Sequence, residues 1–235
     1  MKSTISIDPN LSVYHLVQRT KEQLTLLNHR RTMSLISYEI ENAILLHNVR
    51  ARLFAGFQRM SRFIPQIPRY TIMAQNAESI YVFGVMDVQP PPIANIRYIP
   101  LTEAHQLSKE WFVVADARDY FSALATEELS HIEDADDKRM FQGVWSFDED
   151  IVTILQEWLS SLVNAHDLGN LSENRNYRSQ MKIMSSTMGR MAGRLAKSFE
   201  KPTTTTPNAV QGEVDTAVEQ QLSPSILKIE DKLNE

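Results

Sequence analysis

The chain has 235 residues, 43% of them hydrophobic, a net charge of −5 and no cysteine. That size suits one good-sized domain with extensions. The missing thiols exclude a disulfide scaffold, a cysteine nucleophile, a cysteine-ligated zinc or iron–sulfur site, and a pigment held through a thioether. Charge is uneven: residues 1 to 170 carry 15 basic and 21 acidic side chains, 171 to 201 carry 7 and 2, and 202 to 235 carry 2 and 6. A mildly acidic body with a basic segment and an acidic tail argues against a nucleic-acid binder. The start, MKSTISIDPNLS, lacks an apolar signal core, and no run approaches 18 apolar residues. Neither an export signal nor a membrane span is expected, and a cytoplasmic location is the simplest reading.

In chain order, Val13, Leu16, Val17, Leu24 and Leu27 fall at helical spacing after Pro9, with Asn10 or Ser12 as cap. A second helix starts near Thr32. Met33, Ile36, Ile40, Ala43, Ile44 and His47 share its core face, and Glu39 and Asn42 are expected to face water. Two apolar runs follow, ARLFAGF and SIYVFGV, separated by a proline-punctuated helical piece around Arg69 to Ala77. Continuous apolar runs read as strands buried on both faces, and the connection is long enough for a helical crossover, so a β-α-β unit is predicted at the centre of the sheet.

VQPPPIAN forms a stiff extended turn before the short strand NIRYIPL. WFVVAD, YFSALAT and FQGVWSF read as an antiparallel meander over residues 111 to 147, its first hairpin closed by Asp116 to Asp119. Ser146 and Glu149 form an S-x-x-E capping box, followed by the stripe Ile151, Ile154, Leu155, Trp158, Leu159, Leu162, Val163. The predicted fold is α/β (α+β): a mixed sheet of about five to six strands, a central β-α-β unit and an antiparallel meander, packed by helices, with a C-terminal helical extension. Residues 1–170 form the expected domain, 171–201 a basic amphipathic helix, and 202–235 a disordered acidic tail with a possible short terminal helix.

Within the extension, Met181, Met184, Met188, Met191 and Leu195 repeat at 3, 4, 3, 4, an a/d seam about two heptads long. Ser185, Gly189 and Gly193 put small side chains beside it. Three uses are open: self-association or docking of a partner helix, packing back on the same domain, or binding at a membrane surface, for which the basic residues fit but tryptophan is lacking.

Several segments resemble the DICT sensory domain, a family named from diguanylate cyclases and two-component systems: SLISYEIENAIL, ARLFAGFQRMSRFIP, ESIYVFGV, PPPIANIRYIPL, KEWFVVAD, YFSALATEEL and FQGVWSFDEDIVTILQEWLSSLV. The resemblance runs over residues 12 to 165 or so. It implies a cytoplasmic sensory or regulatory domain of bacterial signalling, cyanobacterial above all, with an association with light responses. Such domains are often joined to cyclases, phosphodiesterases or kinases. No room for such an output module is expected here, so a partner chain is the expected reader.

Ser37 and Glu41, at i and i+4 on the second helix, and Gln58, after the first central strand, match polar positions of that family pattern. They are candidates for a ligand or switch site; a surface pair and a strand-end hydrogen bond is the plainer alternative. Trp111 and Trp145 either floor a pocket or fill the core. Asp116 either binds a ligand or turns the chain. The acidic loop Glu127, Glu128, His131, Glu133, Asp134, Asp136, Asp137 lacks the spacing and bend glycine of a calcium loop and reads as solvated. No zinc, phosphate-loop or nucleophile-elbow motif is present. The expected function is therefore a non-enzymatic sensory protein acting through a signalling partner or a homodimer built on residues 175–200. A small enzyme with a pocket around Glu41, Gln58 and Asp116, or a constitutive scaffold, are the alternatives. No cofactor, metal site or catalytic residue is assigned.

Overall fold

A computed structural model describes residues 7–20, 26–165 and 169–200. The elements run α1 (Val13–Thr20), β1 (Leu26–His29), α2 (Arg30–Leu46), β2 (Arg52–Arg59), α3 (Met60–Phe63), α4 (Ile67–Asn76), β3 (Ser79–Val85), β4 (Ile96–Leu101), β5 (Glu110–Asp116), β6 (Phe121–Glu128), β7 (Met140–Ser146), α5 (Glu149–Leu162) and α6 (Tyr177–Glu200). The strands make one seven-stranded sheet in the order β1-β7-β6-β5-β2-β3-β4. The fold is α/β as expected, with one more strand than expected.

The two apolar runs are parallel neighbours, Leu53 opposite Ile80 and Ala55 opposite Val82. Leu53, Val82 and Val113 are buried, as strands covered on both faces require. The chain returns from β3 to β4, also parallel, through residues 86 to 95 without a helix. Ten residues in polyproline conformation reach about 31 Å, more than the ~23 Å length of a seven-residue strand. The three consecutive prolines thus do the work of a crossover helix. β5, β6 and β7 form the antiparallel meander, with Asp116 opposite Phe121 at the first hairpin.

Side chains alternate between the two faces. On one face, Val13 and Val17 of α1 and Ile151, Val152, Leu155 and Leu159 of α5 close over Phe54, Phe83, Phe112, Val114, Phe121 and Val144. Gly56 is obligatory here, because a Cβ would run into the Phe112 ring. Each large apolar side chain so buried contributes about 1.5–3 kcal/mol. On the other face α2 packs against β1, β5, β6 and β7 and against α4.

Four local expectations are corrected. α1 is described over Val13–Thr20, Leu24 lies outside the described residues, and Leu27 lies in β1, whose residues Leu26–His29 pair with β7. Glu39 and Asn42 are buried rather than facing water: Arg190 of α6 pairs with Glu39 at 2.7 Å, and Asn42 accepts from Arg69 of α4. The cap of α5 is Asp148, whose carboxylate accepts from the N–H groups of Asp150 and Ile151; Ser146 is the last residue of β7 and accepts from the N–H of Asp148. Ile154 points outward, with Val152 buried in its stead.

The chain divides into two compact units, Met1–Ala192 and Gly193–Glu235. In the first, α6 presents Gln180, Ile183, Thr187 and Met191 to the interior and leaves Met181 and Met188 exposed. Gln180 accepts from the Phe121 N–H and donates to its C=O, both at 2.9 Å. Of the second unit, residues 193 to 200 are described as the end of α6, and Leu195 lies there; the expected tail, 202–235, lies outside the described residues.

Candidate functional site

The carboxyl end of β2 ends in an irregularity. Pairing with β3 slips between Gly56 and Arg59, and Gln58 takes φ 63°, a left-handed backbone that disfavours a side chain. Such strain persists only where the surroundings hold it, and here the Gln58 amide is held at both ends. Its Nε2 donates to Glu128 at 2.8 Å and its Oε1 accepts from Arg139 at 2.6 Å. Arg139 and Glu128 form a two-pronged ion pair at 2.7 and 2.6 Å, with Arg139 fully buried. Burial pushes the Glu128 carboxyl up, but hydrogen bonds from Arg139, Gln58 and Ser130 outweigh it and hold the group below its ordinary value. It therefore stays ionised and accepts only.

Above this floor stand two more arginines. Arg30 is the first residue of α2, and Arg62 lies in α3. Arg30 Nη1 is 3.0 Å from Asp136 Oδ2; Arg62 Nη1 and Arg139 Nη1 are 3.8 and 3.9 Å from Asp136 Oδ1. Arg62 also donates to the C=O of Ile132, and Arg59 pairs with Glu133 at 2.7 Å. Asp134 and Asp137 of the 129–139 loop are exposed, as a solvated loop requires, but two of its carboxylates, Glu133 and Asp136, meet arginines. Burial, then the Arg139 and Arg30 charges, pulls the Arg62 guanidinium down from its ordinary value. The wall is Trp111, edge-on to Phe141, with Arg30 6.0 Å from its ring centre. Trp111 Nε1 donates to Ser37 Oγ at 3.0 Å.

Of the residues singled out from the sequence, Ser37, Gln58 and Trp111 thus meet at one end of the sheet. Glu41 lies in the seam between α2 and α4, accepting from Arg69 and from the Tyr70 hydroxyl. Burial and the Glu41 charge push that hydroxyl well above its ordinary value. Asp116 lies opposite Arg52, six residues and about 20 Å from Gln58 along β2, so Gln58 and Asp116 do not share a pocket. It pairs with Arg175 at 2.6 Å. Trp145 donates to Ser122 Oγ at 3.1 Å and is tilted against Phe147. Along the extension, Met181 and Met188 are exposed, Met184 is half-buried and Met191 is buried.

Sequence reasoning missed Arg30, Arg62 and Arg139. The available signals were slight: Arg139 closes the acidic run EDADDK immediately before a strand, and Arg62 follows Gln58 by one helical turn. What the cluster can do is bind charge. Three guanidiniums with aromatic faces beside them recognise oxyanions and planar groups. Among the described residues no group of three His, Asp or Glu side chains could hold a metal ion, and no helix is long and apolar enough to cross a membrane.

No curated protein matches the sequence. A crystal structure of polyphosphate kinase from Porphyromonas gingivalis is similar at a TM-score of 0.35 and 15% identity, over 77% of this chain and 32% of that one. This chain thus spans about a third of that protein's length, and likeness at that level supports no inference. The family described as a sensory domain in diguanylate cyclases and two-component systems matches residues 10–129, from the cap of α1 through β6 and just over half of the chain. By that match the chain belongs to the DICT family of sensory domains.

Proposed function

We propose that this chain is a non-catalytic sensory protein whose input is the basic end of the sheet and whose output is α6. The observation that carries this reading is the position of α2. Its first residue, Arg30, reaches Asp136; Ser37 accepts from Trp111 at the site wall; Glu39, two residues on, pairs with Arg190 of α6. A shift of this one helix changes contacts at both places, which is the minimum that coupling between sites needs. The site itself is lined with charge-recognising groups.

Output then passes to another chain through the exposed Met181 and Met188, where Gly189 has open space above it. A second copy is the occupant to test first. The protein would act in the cytoplasm, and a light-linked input would need a pigment held without a covalent thioether, since cysteine is absent. The double substitution Met181→Asp/Met188→Asp touches exposed side chains only. It is expected to leave the circular dichroism spectrum unchanged and to convert a concentration-dependent dimer into a monomer by light scattering. Identical masses for both proteins at every concentration would remove α6 as a self-association surface.

A further inference from the structure

Asp136 is a poor fit to the place it occupies. Three guanidiniums converge on its carboxylate, yet only Arg30 is within hydrogen-bond distance, at 3.0 Å; Arg62 and Arg139 stand off at 3.8 and 3.9 Å. Arg139 Nη1 and Arg30 Nε are both buried and have no hydrogen-bond partner among the described residues. Arg139 is wholly enclosed, so water cannot compensate freely, and a buried unsatisfied donor is costly. A carboxylate has two oxygens in a plane. The arrangement asks for three acceptors spread in space, which a phosphoryl group has. Asp136 itself is partly exposed and comes from a loop, so it can leave at small cost. The floor below is already neutralised, because Glu128 is bound by Arg139, Gln58 and Ser130.

We propose that Arg30, Arg62 and Arg139 form a binding site for a phosphoryl group, and that Asp136 is its internal stand-in, displaced when the ligand arrives. Arg30 and Arg62 then swing from the departing carboxylate to the phosphoryl oxygens, and Arg139 Nη1 gains the acceptor it lacks. The 129–139 loop loses its Asp136 anchor while Arg59 still holds Glu133. The site thereby acquires two states, loop-closed without ligand and loop-released with it. This supplies the input for the sensory reading above and rests on that reading for its consequence, though not for the binding itself.

The test is titration calorimetry on the full chain with two probes, inorganic phosphate and adenosine monophosphate. Removing the internal competitor by Asp136→Ala is expected to tighten binding of at least one probe about tenfold or more. Adding Arg30→Gln or Arg62→Gln to that variant reverses the gain. These side chains are partly exposed, and circular dichroism checks that each variant is folded. Equal affinity for the two probes identifies free phosphate as sufficient; tighter adenosine monophosphate identifies a phosphate carried on a nucleotide. A folded Asp136→Ala variant that binds neither probe more tightly than the parent overturns the site. Binding that behaves as stated but leaves the α6 association constant unchanged keeps the site and sinks the coupling.

Discussion

The two ends of β2 are both crowded with charge, and they are held together differently. At the amino end, Arg52 pairs with Glu78 at 2.7 Å and donates to the C=O of Gly169. Arg175 pairs with Asp116 at 2.6 Å, donates to the C=O of Ala117 at 2.7 Å and lies 4.6 Å over the Phe121 ring. Both partners of that second pair are 1% exposed. At the carboxyl end the Arg139–Glu128 floor is as tight and as enclosed, but Arg59 meets a Glu133 that is largely exposed, and the rim of Arg30, Arg62 and Asp136 is partly exposed and spaced at 3.0 and 3.8 Å. Tight, enclosed pairs fasten segments far apart in sequence. A loosely met carboxylate above a surplus of guanidinium is a place where one partner can be exchanged for another.

Breaking the amino end should give the largest effect. Arg175→Met strands Asp116 in the interior, where burial already pushes its carboxyl up against the pull of Arg175. Urea unfolding is expected to show a loss of about 3–5 kcal/mol, part of it recovered by adding Asp116→Asn. A loss below about 1 kcal/mol would mean that this end is no more built than the other.

A carboxylate with no cation partner among the described residues sharpens the contrast. Glu110, at the start of β5, accepts from Ser12 Oγ and the N–H groups of Val13 and Tyr14 at the head of α1. Burial nevertheless lifts it to about 7. Its folded pKa lies above the unfolded one, so the folded state holds the proton longer. Stability therefore falls as pH rises from about 4.5 to about 7, by at most about 3 kcal/mol, and stays level above. Glu110→Gln should flatten that part of the pH profile. Parent and variant profiles running parallel between pH 4.5 and 8 would refute the assignment.

Smaller effects belong to the carboxyl end. Gln58→Gly relieves the left-handed backbone that Gln58→Ala keeps, while both lose the amide bridge. The glycine variant should be the more stable by about 1 kcal/mol in chemical denaturation, and the reverse order would show that the φ of 63° carries no strain. Asp136→Ala should be smallest of all, within about 1 kcal/mol of the parent. A larger loss would make the loop contact structural and close the gap between the two ends.

How much of this was legible in advance follows from the physics of each part. The β-α-β unit announces itself because strands enclosed on both faces must be continuously apolar, as LFAGF and IYVFGV are. β1 does not, since LLNH is four residues on the sheet's edge and owes its existence to pairing with β7. Glu39 reads as a surface residue until Arg190, 151 positions later, covers it. Ser37, Gln58 and Trp111 were visible as a polar pair of positions and an aromatic near one strand end. The arginines were not, because α2, α3 and the β6–β7 loop each contribute one, and no spacing rule links them.

The outermost strands carry a further consequence. β4 contains Pro100, which has no N–H to donate, and Arg97 on an exposed position; β1 offers only four residues. Rims of that kind make poor templates for an added strand. Two copies of this protein, or this protein and another, therefore have little reason to join sheet to sheet. Strand addition at either rim is thereby disfavoured, which leaves the helical faces, such as the exposed side of α6, as better ground for a partner.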